Sequence, residues 1–360
     1  MTLMFAGDLA WPEAGAVEFD ALAQLFAGAK VVANLEGAML RAPAQDSAIN
    51  NAYKFNLYSH ASVADILARL NVVACGLANN HISDYVGGVD NSKAMLAECG
   101  IQAFGTEALP YCELEAFGQQ YVLFGACSPL PEPGAEPHQD QACLFRPAPA
   151  LALLARLRRQ FPDRKLVAFM HWGYELARYP QPADREWARQ AIDAGVDLVI
   201  GHHPHVVQGL ERHGNGLIAY SLGNLLLPQT DYRGRKLHYK SAAVCEQLVL
   251  GLSGAGVQAH WLRYHPQQAR VSYEGGGPAT DDAALKQRTP FAGMGDADYR
   301  RWFAQTGQFG TDSGRRSGPV FWSYRGWRGA QASALFQLLR AKRTVRKLAI
   351  ASGLHKPYNW

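Results

Sequence analysis

Short apolar runs alternate along this chain with segments in which apolar residues recur at helical spacing. The apolar runs predict strands over residues 2–6, 31–33, 72–77, 121–126, 166–170, 197–200 and 217–220. Helical spacing is found over residues 18–27, 61–70, 88–99, 148–160 and 183–194. Because strands and helices alternate, we expect a layered α/β body with largely parallel strand pairing.

The later part of the pattern is less regular. Residues 242–250 and 256–264 predict two antiparallel strands around a turn, and Gly275-Gly276-Gly277-Pro278 then interrupts the pattern. We therefore predict one domain over residues 1–274 and a C-terminal extension over residues 279–360. Residues 333–351 of the extension predict an amphipathic helix. Its apolar face contains Leu335, Leu338, Leu339, Val345, Leu348 and Ala349, and Arg340, Arg343, Arg346 and Lys347 lie largely elsewhere.

The composition is that of an ordinary globular protein. Hydrophobic residues make up 48% of the chain and charged residues 18%, which excludes a disordered chain. No apolar run reaches the roughly 20 residues that cross a bilayer, and the N-terminus does not read as a signal peptide. The six cysteines are scattered with no C-x-x-C pair, so we expect free thiols. These features predict a cytoplasmic protein.

Positive charge is concentrated in the extension. Residues 311–360 contain ten Lys or Arg and one acidic residue, Asp312, whereas residues 1–310 contain 25 basic and 30 acidic ones. Three interpretations stay open: a solvated helix packed on the body, contact with the inner surface of an anionic membrane, and contact with an acidic polymer or a polymer-synthesis enzyme. Nucleic acid is not an expected partner, because no recognised binding module accompanies the charge.

Six short segments place polar side chains at or just beyond the carboxyl ends of predicted strands, where open α/β sheets bind ligands. They are Gly7-Asp8, Asn34-Leu35-Glu36, Asn79-Asn80-His81, His171-Trp172-Gly173, Gly201-His202-His203-Pro204-His205 and Ser221-Leu222-Gly223-Asn224. Taken singly, most of these residues suit a turn, a cap or a satisfied polar group. The cluster at 201–205 differs, because two imidazoles one residue apart, with Pro204 between them, can converge on metal.

Together the six segments predict a metal centre. They offer Asp, Glu, Asn and His side chains and no cysteine. Mixed oxygen and imidazole donors suit Mn²⁺, Fe or Zn²⁺. Two metal ions roughly 3.5–4 Å apart can activate a water molecule and clamp the reacting oxygens of a substrate. A carboxylate between two imidazole-bearing loops fits that arrangement, so we expect two divalent metal ions.

The order and spacing of these segments resemble the CapA-type (poly-γ-glutamate capsule) branch of the calcineurin-like metallophosphoesterases. The matching strings are "GD", "ANLEG", "ANNHISDYVGG", "HWGYE", "DAGVDLVIGHHPHVVQ" and "YSLGN", between residues 7 and 224. The resemblance implies a four-layer α/β/β/α sandwich with the site at the strand ends. It also implies metal-dependent hydrolysis of a phosphoester or related bond in a small anionic or polymer-linked substrate. The implied pathway is synthesis of a capsule, an exopolysaccharide or poly-γ-glutamate.

The resemblance also implies roles for single residues. His81 is the histidine that faces the substrate as a general acid or a stabiliser of charge. Asp84 either orients His81 or caps the helix that begins near Gly88. The implied metal ligands are Asp8 for the first ion, Glu36 as the bridge, Asn80 and His171 for the second ion, and His203 and His205 divided between the two.

Two features depart from the wider superfamily. Its first motif usually supplies Asp-x-His, but Asp8-Leu9-Ala10 contains no histidine. Its bridging residue is usually Asp, whereas Glu36 is one methylene longer. One metal ion therefore has fewer protein ligands, and His202 either fills the gap or is a packed or solvent-facing residue.

Four further residues are candidates for the substrate site. Lys54 and Asn56 suit an anionic group of the substrate. Glu175 is either a pocket residue or a surface residue, and Asn224 lies either near the metals or in a turn. Substrate specificity is expected in the loops 38–60, 128–147 and 225–240.

A second interpretation of the function stays open. The protein is then a non-catalytic, metal-stabilised component of a membrane-associated assembly for polymer synthesis, docked by its basic extension. His81 separates the two interpretations, because an enzyme needs this residue for turnover and a scaffold does not.

Overall fold

The chain folds into strands and helices that alternate over most of its length. The computed structural model describes residues 2–12, 17–50, 54–128, 140–239, 241–254, 256–310 and 319–355. In chain order the strands in these ranges are β1 (Leu3–Leu9), β2 (Lys30–Leu35), β3 (Ala38–Leu40), β4 (Tyr58–His60), β5 (Val72–Gly76), β6 (Gln102–Phe104), β7 (Tyr111–Ala116), β8 (Gln119–Cys127), β9 (Lys165–His171), β10 (Leu198–His202), β11 (Leu210–His213), β12 (Gly216–Ala219), β13 (Asn224–Leu226), β14 (Glu246–Ser253), β15 (Gly256–His265) and β16 (Arg270–Pro278). Each predicted strand is present.

The helices confirm most of the helical pattern. They are α1 (Asp20–Leu25), α2 (Val63–Arg69), α3 (Gly88–Glu98), α4 (Pro147–Gln160), α5 (Pro182–Asp193), α6 (Ala283–Arg288), α7 (Asp296–Gln305) and α8 (Gly326–Ala351). Helices α6 and α7 were not predicted, because they bury too few apolar residues to set up a period. Helix α6 buries only Leu285, and α7 buries only Tyr299 and Phe303.

Two mixed sheets form the centre of the molecule. The first has the order β16-β15-β14-β1-β2-β5-β6, with β13 also paired to β1. Its strands β1, β2, β5, β6 and β13 are parallel, and β14 to β16 form an antiparallel meander beside β1. The second sheet has the order β11-β12-β10-β9-β8-β7, with antiparallel pairs only at its edges. The predicted parallel pairing is confirmed.

Three buried apolar clusters separate four layers. One cluster lies between the first sheet and helices α1 to α3 and includes Leu22, Leu67 and Leu96. The second joins the inner faces of the two sheets, for example through Phe104 and Phe169, whose rings meet edge to face at 5.5 Å. The third lies between the second sheet and helices α4, α5 and α7. The fold is therefore the predicted four-layer α/β/β/α sandwich.

Glycines allow the backbone to pack closely near the strand ends of both sheets. A Cβ atom on Gly7 would lie 2.0 Å from the carbonyl oxygen of Gly223. A Cβ atom on Gly201 would lie 1.9 Å from the carbonyl oxygen of Tyr220. Only glycine fits at these two positions, which precede Asp8 and His202 directly. Close backbone packing thus fixes where two of the polar segments leave their strands.

Two predicted boundaries differ from the structure. Residues 242–245 form a short 3₁₀ turn before β14, because Ser241 accepts a hydrogen bond from the backbone of Ala243. The tetrapeptide 275–278 lies inside β16 and pairs with β15, so it does not interrupt secondary structure. Helices α6 and α7 follow it and pack on the body. The division into domains 1–274 and 279–360 remains a prediction.

The extension is fastened to the body by residues 319–325. The carbonyl oxygen of Phe321 accepts a hydrogen bond from Ala183, and the Phe321 ring stacks on Tyr174 at 6.1 Å. Ser323 donates to Glu186. These contacts connect the extension to helix α5 and to the loop after β9. Residues 311–318 and 356–360 of the basic extension, and 129–139 of the predicted specificity loop 128–147, lie outside the described residues.

Helix α8 confirms the predicted helix but not its predicted face. Leu335 and Leu339 are half-buried, whereas Leu338, Val345 and Leu348 are 64%, 65% and 64% exposed. The apolar face of α8 is wider than the surface of the body that contacts it. Only the side that contains Leu335 and Leu339 is therefore covered. In the described part of the chain, no helix is long and apolar enough to cross a membrane.

The six cysteines carry free thiols, as predicted. Cys75 and Cys127 are buried in strands β5 and β8, whereas Cys99 is exposed at the end of α3. Burial raises the pKa of the Cys127 thiol well above its usual value, so this thiol stays protonated at neutral pH.

Ionisation of Asp184 is predicted to weaken the fold. Burial raises the pKa of this α5 carboxyl from 3.8 to about 7, although the hydrogen bond from Tyr324 opposes the rise. The folded chain therefore keeps a proton that the unfolded chain releases at about pH 4. This stabilisation is complete below about pH 4 and is lost as the pH rises to about 7. The rise corresponds to roughly 4 kcal/mol.

The substitution Asp184→Asn removes this titration and keeps an oxygen that accepts from Tyr324. We expect the variant to match the wild type at about pH 4 and to have the larger free energy of unfolding at about pH 8, measured by denaturant titration. Asp281→Asn is the control, because the Asp281 side chain is 76% exposed. Equal stability of Asp184→Asn and the wild type at the higher pH would contradict the prediction.

Candidate metal centre

The predicted polar segments converge at one end of the two sheets. Asp8 lies near the end of β1, Glu36 follows β2 directly, and His171 is the last residue of β9. His203 and His205 lie in the loop that follows β10. Since β1, β2, β9 and β10 run parallel within their sheets, their carboxyl ends bring these side chains together.

Asp8 is held by three neighbouring groups. The side-chain amide of Asn34 donates to Asp8 Oδ1 at 2.7 Å, and the backbone N–H of His203 donates to Asp8 Oδ2 at 3.2 Å. His202 Nδ1 lies 3.4 Å from Asp8 Oδ1. The His202 ring is fully buried and packs against Phe169, with ring centroids 4.1 Å apart. His202 is therefore not solvent-facing. Both of its ring nitrogens lack a hydrogen-bond partner among the described residues, so its alternative role as a further metal ligand remains a prediction.

Glu36 lies at the centre of the imidazole cluster. Its Oε1 atom is 3.8 Å from His171 Nε2 and 3.7 Å from His205 Nε2. Glu36, His203 and His205 each offer a ligand atom within 4.8 Å of the others. Both Glu36 oxygens and His203 Nδ1 are buried and lack a hydrogen-bond partner in the described part of the chain. Buried polar atoms are normally paired, so these atoms face a position that suits a cation.

Asn80 and His171 form a second pair. The Asn80 side-chain oxygen is 2.8 Å from His171 Nε2, and Asn34 lies 3.5 Å from the other ring nitrogen of His171. The amide of Asn79 donates to the carbonyl of Leu35 at 2.8 Å. This bond fixes the loop that carries Asn80 against the segment that carries Glu36.

The loop after β10 has a strained backbone. His203 and His205 have φ angles of 93° and 58°, in the left-handed region that residues other than glycine rarely adopt. Each such residue costs of the order of 1–3 kcal/mol, and Pro204 restricts the backbone between them. The strain allows both imidazoles to reach Glu36 and Asp8 from positions one residue apart.

The two carboxylates have pKa values shifted in opposite directions. Burial favours a raised pKa for Asp8, but His202, together with the charges of His205 and His171, holds it below its usual value. Burial raises the pKa of Glu36 well above its usual value, since the lowering effect of His205 is smaller. Asp8 is thus the ionised carboxylate of the pair, and Glu36 is the one that lacks a compensating charge.

The imidazoles differ for the same reason. Burial and the neighbouring His203 lower the pKa of His171, and burial lowers the pKa of His203 to about 3. Both rings are therefore neutral, the form that binds metals. Burial also acts to lower the pKa of His205, but Glu36 and Asp8 raise it to about 9. The two carboxylates thus favour the protonated form of His205, whose charge offsets the burial of Glu36 only in part.

Asn224 orients His205. Its side-chain oxygen is 2.9 Å from His205 Nδ1, and its amide donates to Tyr239 Oη at 3.3 Å. With the proton of Nδ1 directed at Asn224, His205 Nε2 is left to face Glu36. Asn224 is the first residue of β13 and pairs with Asp8 of β1, so it lies near the metal ligands rather than in a turn.

His81 is oriented by a buried ion pair. Asp84 Oδ2 lies 2.7 Å from His81 Nδ1 and accepts the backbone N–H of Leu57 at 2.9 Å. Lys54 forms an ion pair with Asp84 and donates to the carbonyl of Asn80 at 2.6 Å. The alternative role of Asp84 as a cap is wrong, because Gly87 is the N-cap residue of α3 and no side chain caps this helix.

The weaker substrate candidates lie in different surroundings. The ammonium group of Lys54 is committed to Asp84 and Asn80, so it does not point to a substrate position. Asn56 is buried. Burial lowers the pKa of His203, and the charge of Glu175 opposes this effect. The charge of Glu175 also contributes to the raised pKa of His205. Glu175 therefore lies beside the centre.

Sequence reasoning missed three residues of this region. Asn34 connects Asp8 with His171, and Asn79 connects two ligand loops. Asn34 lies two residues before Glu36, and Asn79 directly precedes Asn80. Their positions beside predicted metal ligands were the signal that could have identified them. Arg343 gave no such signal. Burial lowers the pKa of Lys54, Asp84 opposes this effect, and the charge of Arg343 on α8 acts in the same direction as burial.

The four-layer fold, with carboxylates, amides and imidazoles at its strand ends, is that of an α/β protein whose donor set suits metal ions. Within this class, the chain belongs to the bacterial capsule synthesis protein family PGA_cap, whose family model matches residues 4–229.

Curated relatives match over shorter segments. The capsule biosynthesis protein CapA of Bacillus anthracis is 42% identical over 64 residues, which cover 18% of this chain and 16% of that protein. A Mycobacterium tuberculosis protein described as a probable polyglutamine synthesis accessory protein is 29% identical over 191 residues, covering 49% of this chain and 50% of that protein. The chain thus spans half or less of the length of these relatives.

Solved structures show distant likenesses. A hypothetical protein from Thermus thermophilus has a TM-score of 0.41 and 15% identity, covering 76% of this chain and 98% of that one. A 5'-nucleotidase precursor from the same organism has a TM-score of 0.39 and 15% identity, covering 85% and 60%.

Proposed function

We propose that this protein is a metal-dependent phosphoesterase-like hydrolase that acts in the synthesis of a capsule, exopolysaccharide or poly-γ-glutamate. The observation that carries the proposal is the buried, unpaired carboxylate of Glu36, which lies within 4 Å of ring nitrogens of both His171 and His205. A carboxylate in this position is costly unless a cation joins it. The pathway is inferred from the names of the family and of its relatives.

The donor set fits two divalent metal ions. Oxygen and imidazole donors without thiolate suit Mn²⁺, Fe or Zn²⁺. When bound, such ions would polarise a phosphoryl group and lower the pKa of a water molecule. The residues that would hold them are Asp8, Glu36, Asn80, His171, His203 and His205. Asn34, His202 and Asn224 would orient these ligands through the contacts described above.

His81 is the residue that would handle the proton. Its Nδ1 atom faces Asp84, which leaves Nε2 to hold a proton against the leaving oxygen or to stabilise negative charge. Burial lowers the pKa of His81, and the charge of Asp84 opposes this effect. Lys54 holds Asp84 in place and so acts as a positioning residue. A small anionic or polymer-linked substrate would suit the positive charge of the two bound metal ions.

The substitution His81→Ala is predicted to separate catalysis from metal binding. An acid at the leaving oxygen contributes typically about 10²–10⁴-fold to the rate, so we expect a loss of that size in turnover of a chromogenic phosphodiester or monoester with Mn²⁺. Metal content, measured by elemental mass spectrometry, should stay at the wild-type value. Glu36→Ala and His203→Ala should lose turnover and metal together while keeping the circular dichroism spectrum of the fold.

The matched control is His265→Ala, whose ring contacts Ser272 on the meander of the first sheet. Its turnover should equal that of the wild type. Full activity in Glu36→Ala or His203→Ala would contradict the site assignment. Wild-type turnover in His81→Ala would contradict the role of His81. Metal binding without turnover in the wild type would favour the non-catalytic component of a polymer-synthesis assembly.

A membrane-peripheral location is the second part of the proposal. Leu338, Val345 and Leu348 point outward from α8, and the exposed cations Arg340 and Arg346 flank them. Helices of this kind bind in the interface of anionic membranes. The protein would then work at the inner face of the membrane, next to enzymes of the same pathway.

The triple substitution of Leu338, Val345 and Leu348 by serine is predicted to weaken vesicle binding. We expect the wild type to co-sediment with vesicles that contain an anionic lipid, and the variant to bind them at least tenfold more weakly, since three apolar side chains no longer enter the interface. Leu109→Ser with Phe117→Ser is the control, because both side chains are exposed on the body. Equal sedimentation of the wild type and the triple variant would contradict the proposal.

A further inference from the structure

A tight hairpin with Arg233 and Gly234 at its tip lies in the loop between β13 and β14. Tyr232 and Arg235, which flank the tip, exchange backbone hydrogen bonds of 2.8 and 3.3 Å. The two tip residues have φ angles of 58° and 78°, as two-residue hairpin turns of this kind require. Residues other than glycine are disfavoured in this conformation, so the position of Arg233 must be maintained by the contacts of its side chain.

Two arginines of the hairpin bind backbone carbonyl oxygens of the loop that precedes β4. Arg233 donates through Nη1 to Ser47 at 2.6 Å and through Nη2 to Gln45 at 3.3 Å. Arg235 donates through Nη1 to the carbonyl oxygen of Lys54 at 3.0 Å. A guanidinium group presents its N–H donors in a fixed plane, so each arginine holds a defined stretch of backbone. The hairpin and the loop before β4 are therefore joined at three points.

The loop before β4 is also hydrogen-bonded to the loop that carries His81. The backbone N–H of Val86 donates to the carbonyl oxygen of Ala48 at 2.9 Å, and that of Asn50 donates to the carbonyl oxygen of Asp84 at 2.8 Å. Ala48 is adjacent to one of the carbonyl groups that the hairpin binds. The position of the hairpin is thus transmitted to the His81 loop through the backbone of the loop between them.

The contact with Lys54 acts on His81 most directly. The ammonium group of Lys54 pairs with Asp84 and donates to the carbonyl oxygen of Asn80 at 2.6 Å. Asp84 Oδ2 in turn lies 2.7 Å from His81 Nδ1. Arg235 is therefore connected to His81 through Lys54 and Asp84 alone.

Aromatic packing fixes the depth at which the hairpin sits. Tyr232 is 1% exposed, and its ring packs on Phe55 and Tyr58 with centroids 5.6 and 5.9 Å away. The guanidinium group of Arg233 lies 5.8 Å from the ring centroid of Tyr85. These side chains come from the hairpin, from the chain around β4 and from the His81 loop, so the three segments pack as one unit.

We propose that this hairpin is a clamp that sets the position of His81, with Arg233 and Arg235 as its positioning residues. The clamp acts through carbonyl groups of an intervening loop, so removal of the guanidinium donors leaves the two sheets intact and lets Lys54 and His81 move. Five of the six predicted metal ligands lie on other loops. The effect on turnover rests on the proposed function, whereas the coupling of the three segments is a property of the chain itself.

The test of the coupling is hydrogen exchange of backbone amides in the metal-free protein, followed by mass spectrometry. In Arg233→Gln with Arg235→Gln, we expect the amides of Leu57 and Val86 to exchange about tenfold faster than in the wild type, because local opening no longer has to break the bonds of the clamp. The amide of Phe145, which is bonded to β8 at 2.8 Å, reports on the second sheet. Its exchange should stay within about twofold of the wild type, since the change is local.

The matched control is Lys236→Gln, which removes one positive charge from the same hairpin at an exposed position. It should leave the exchange of all three amides as in the wild type. Arg235→Lys keeps a donor for the carbonyl oxygen of Lys54, so we expect it to disturb the amide of Leu57 less than Arg235→Gln does.

Turnover gives a second measurement. We expect the double variant to lose about tenfold in kcat, with a smaller change in KM, because a displaced acid transfers its proton less efficiently. Metal content should stay at the wild-type value. Arg235→Lys should recover part of the kcat that Arg235→Gln loses.

Three results would overturn the proposal. They are wild-type exchange of Leu57 and Val86 in the double variant, an equal acceleration at Phe145, which would show a general loss of stability, and faster local exchange with an unchanged kcat. A wild type without turnover would contradict the proposed hydrolase, and the exchange of Leu57 and Val86 would then decide by itself whether the clamp exists.

Discussion

The burial of Glu36 is the constraint on which the rest of this end of the molecule depends. A carboxylate removed from water needs a hydrogen-bond donor or a cation, and the described residues give Glu36 no hydrogen bond. The nearest groups are imidazoles at 3.7 and 3.8 Å, too far to donate and well placed to share a cation with it. The strained backbone at His203 and His205 is maintained by the close packing of the strands below it. The fold thus holds an arrangement that is unfavourable until a cation joins it.

Three asparagines around the centre are fully paired. Asn34, Asn79 and Asn224 each use both ends of their side chains in hydrogen bonds, and each bond fixes a ligand or the loop that carries it. The ion pair of Lys54 with Asp84 performs this task for His81. Rigid support of this kind would hold the predicted ligands in place for metal binding.

Much of the fold and the position of the centre could be predicted from the sequence. Asp8, Glu36 and His171 each lie at or just after the end of an apolar strand. Because the carboxyl ends of parallel strands meet at one edge of a sheet, local patterns were enough to predict that these residues converge. The remainder depends on contacts between distant segments. Lys54 was expected at the substrate and instead pairs with Asp84, because the loop that carries it folds under His81. How much of the apolar face of α8 is exposed depends on the area of the body that contacts the helix. The spacing of apolar residues in the sequence carries no information about that area.

The extension has a closer relation to the body than its composition indicates. Phe321 stacks on Tyr174, which lies in the loop between His171 and Glu175, and Arg343 influences the electrostatics of Lys54. The segment before α8 is therefore packed against the loop that follows β9.

The most direct test of the metal centre is the number of metal ions per chain after reconstitution with Mn²⁺ or Zn²⁺, measured by elemental mass spectrometry for the wild type and for Glu36→Gln. We predict about two ions per chain in the wild type, as a dinuclear site requires. The variant should hold fewer, since it keeps the shape of Glu36 and loses its charge. A wild type that binds no metal after reconstitution, or a variant that binds as much as the wild type, would contradict the central role of Glu36.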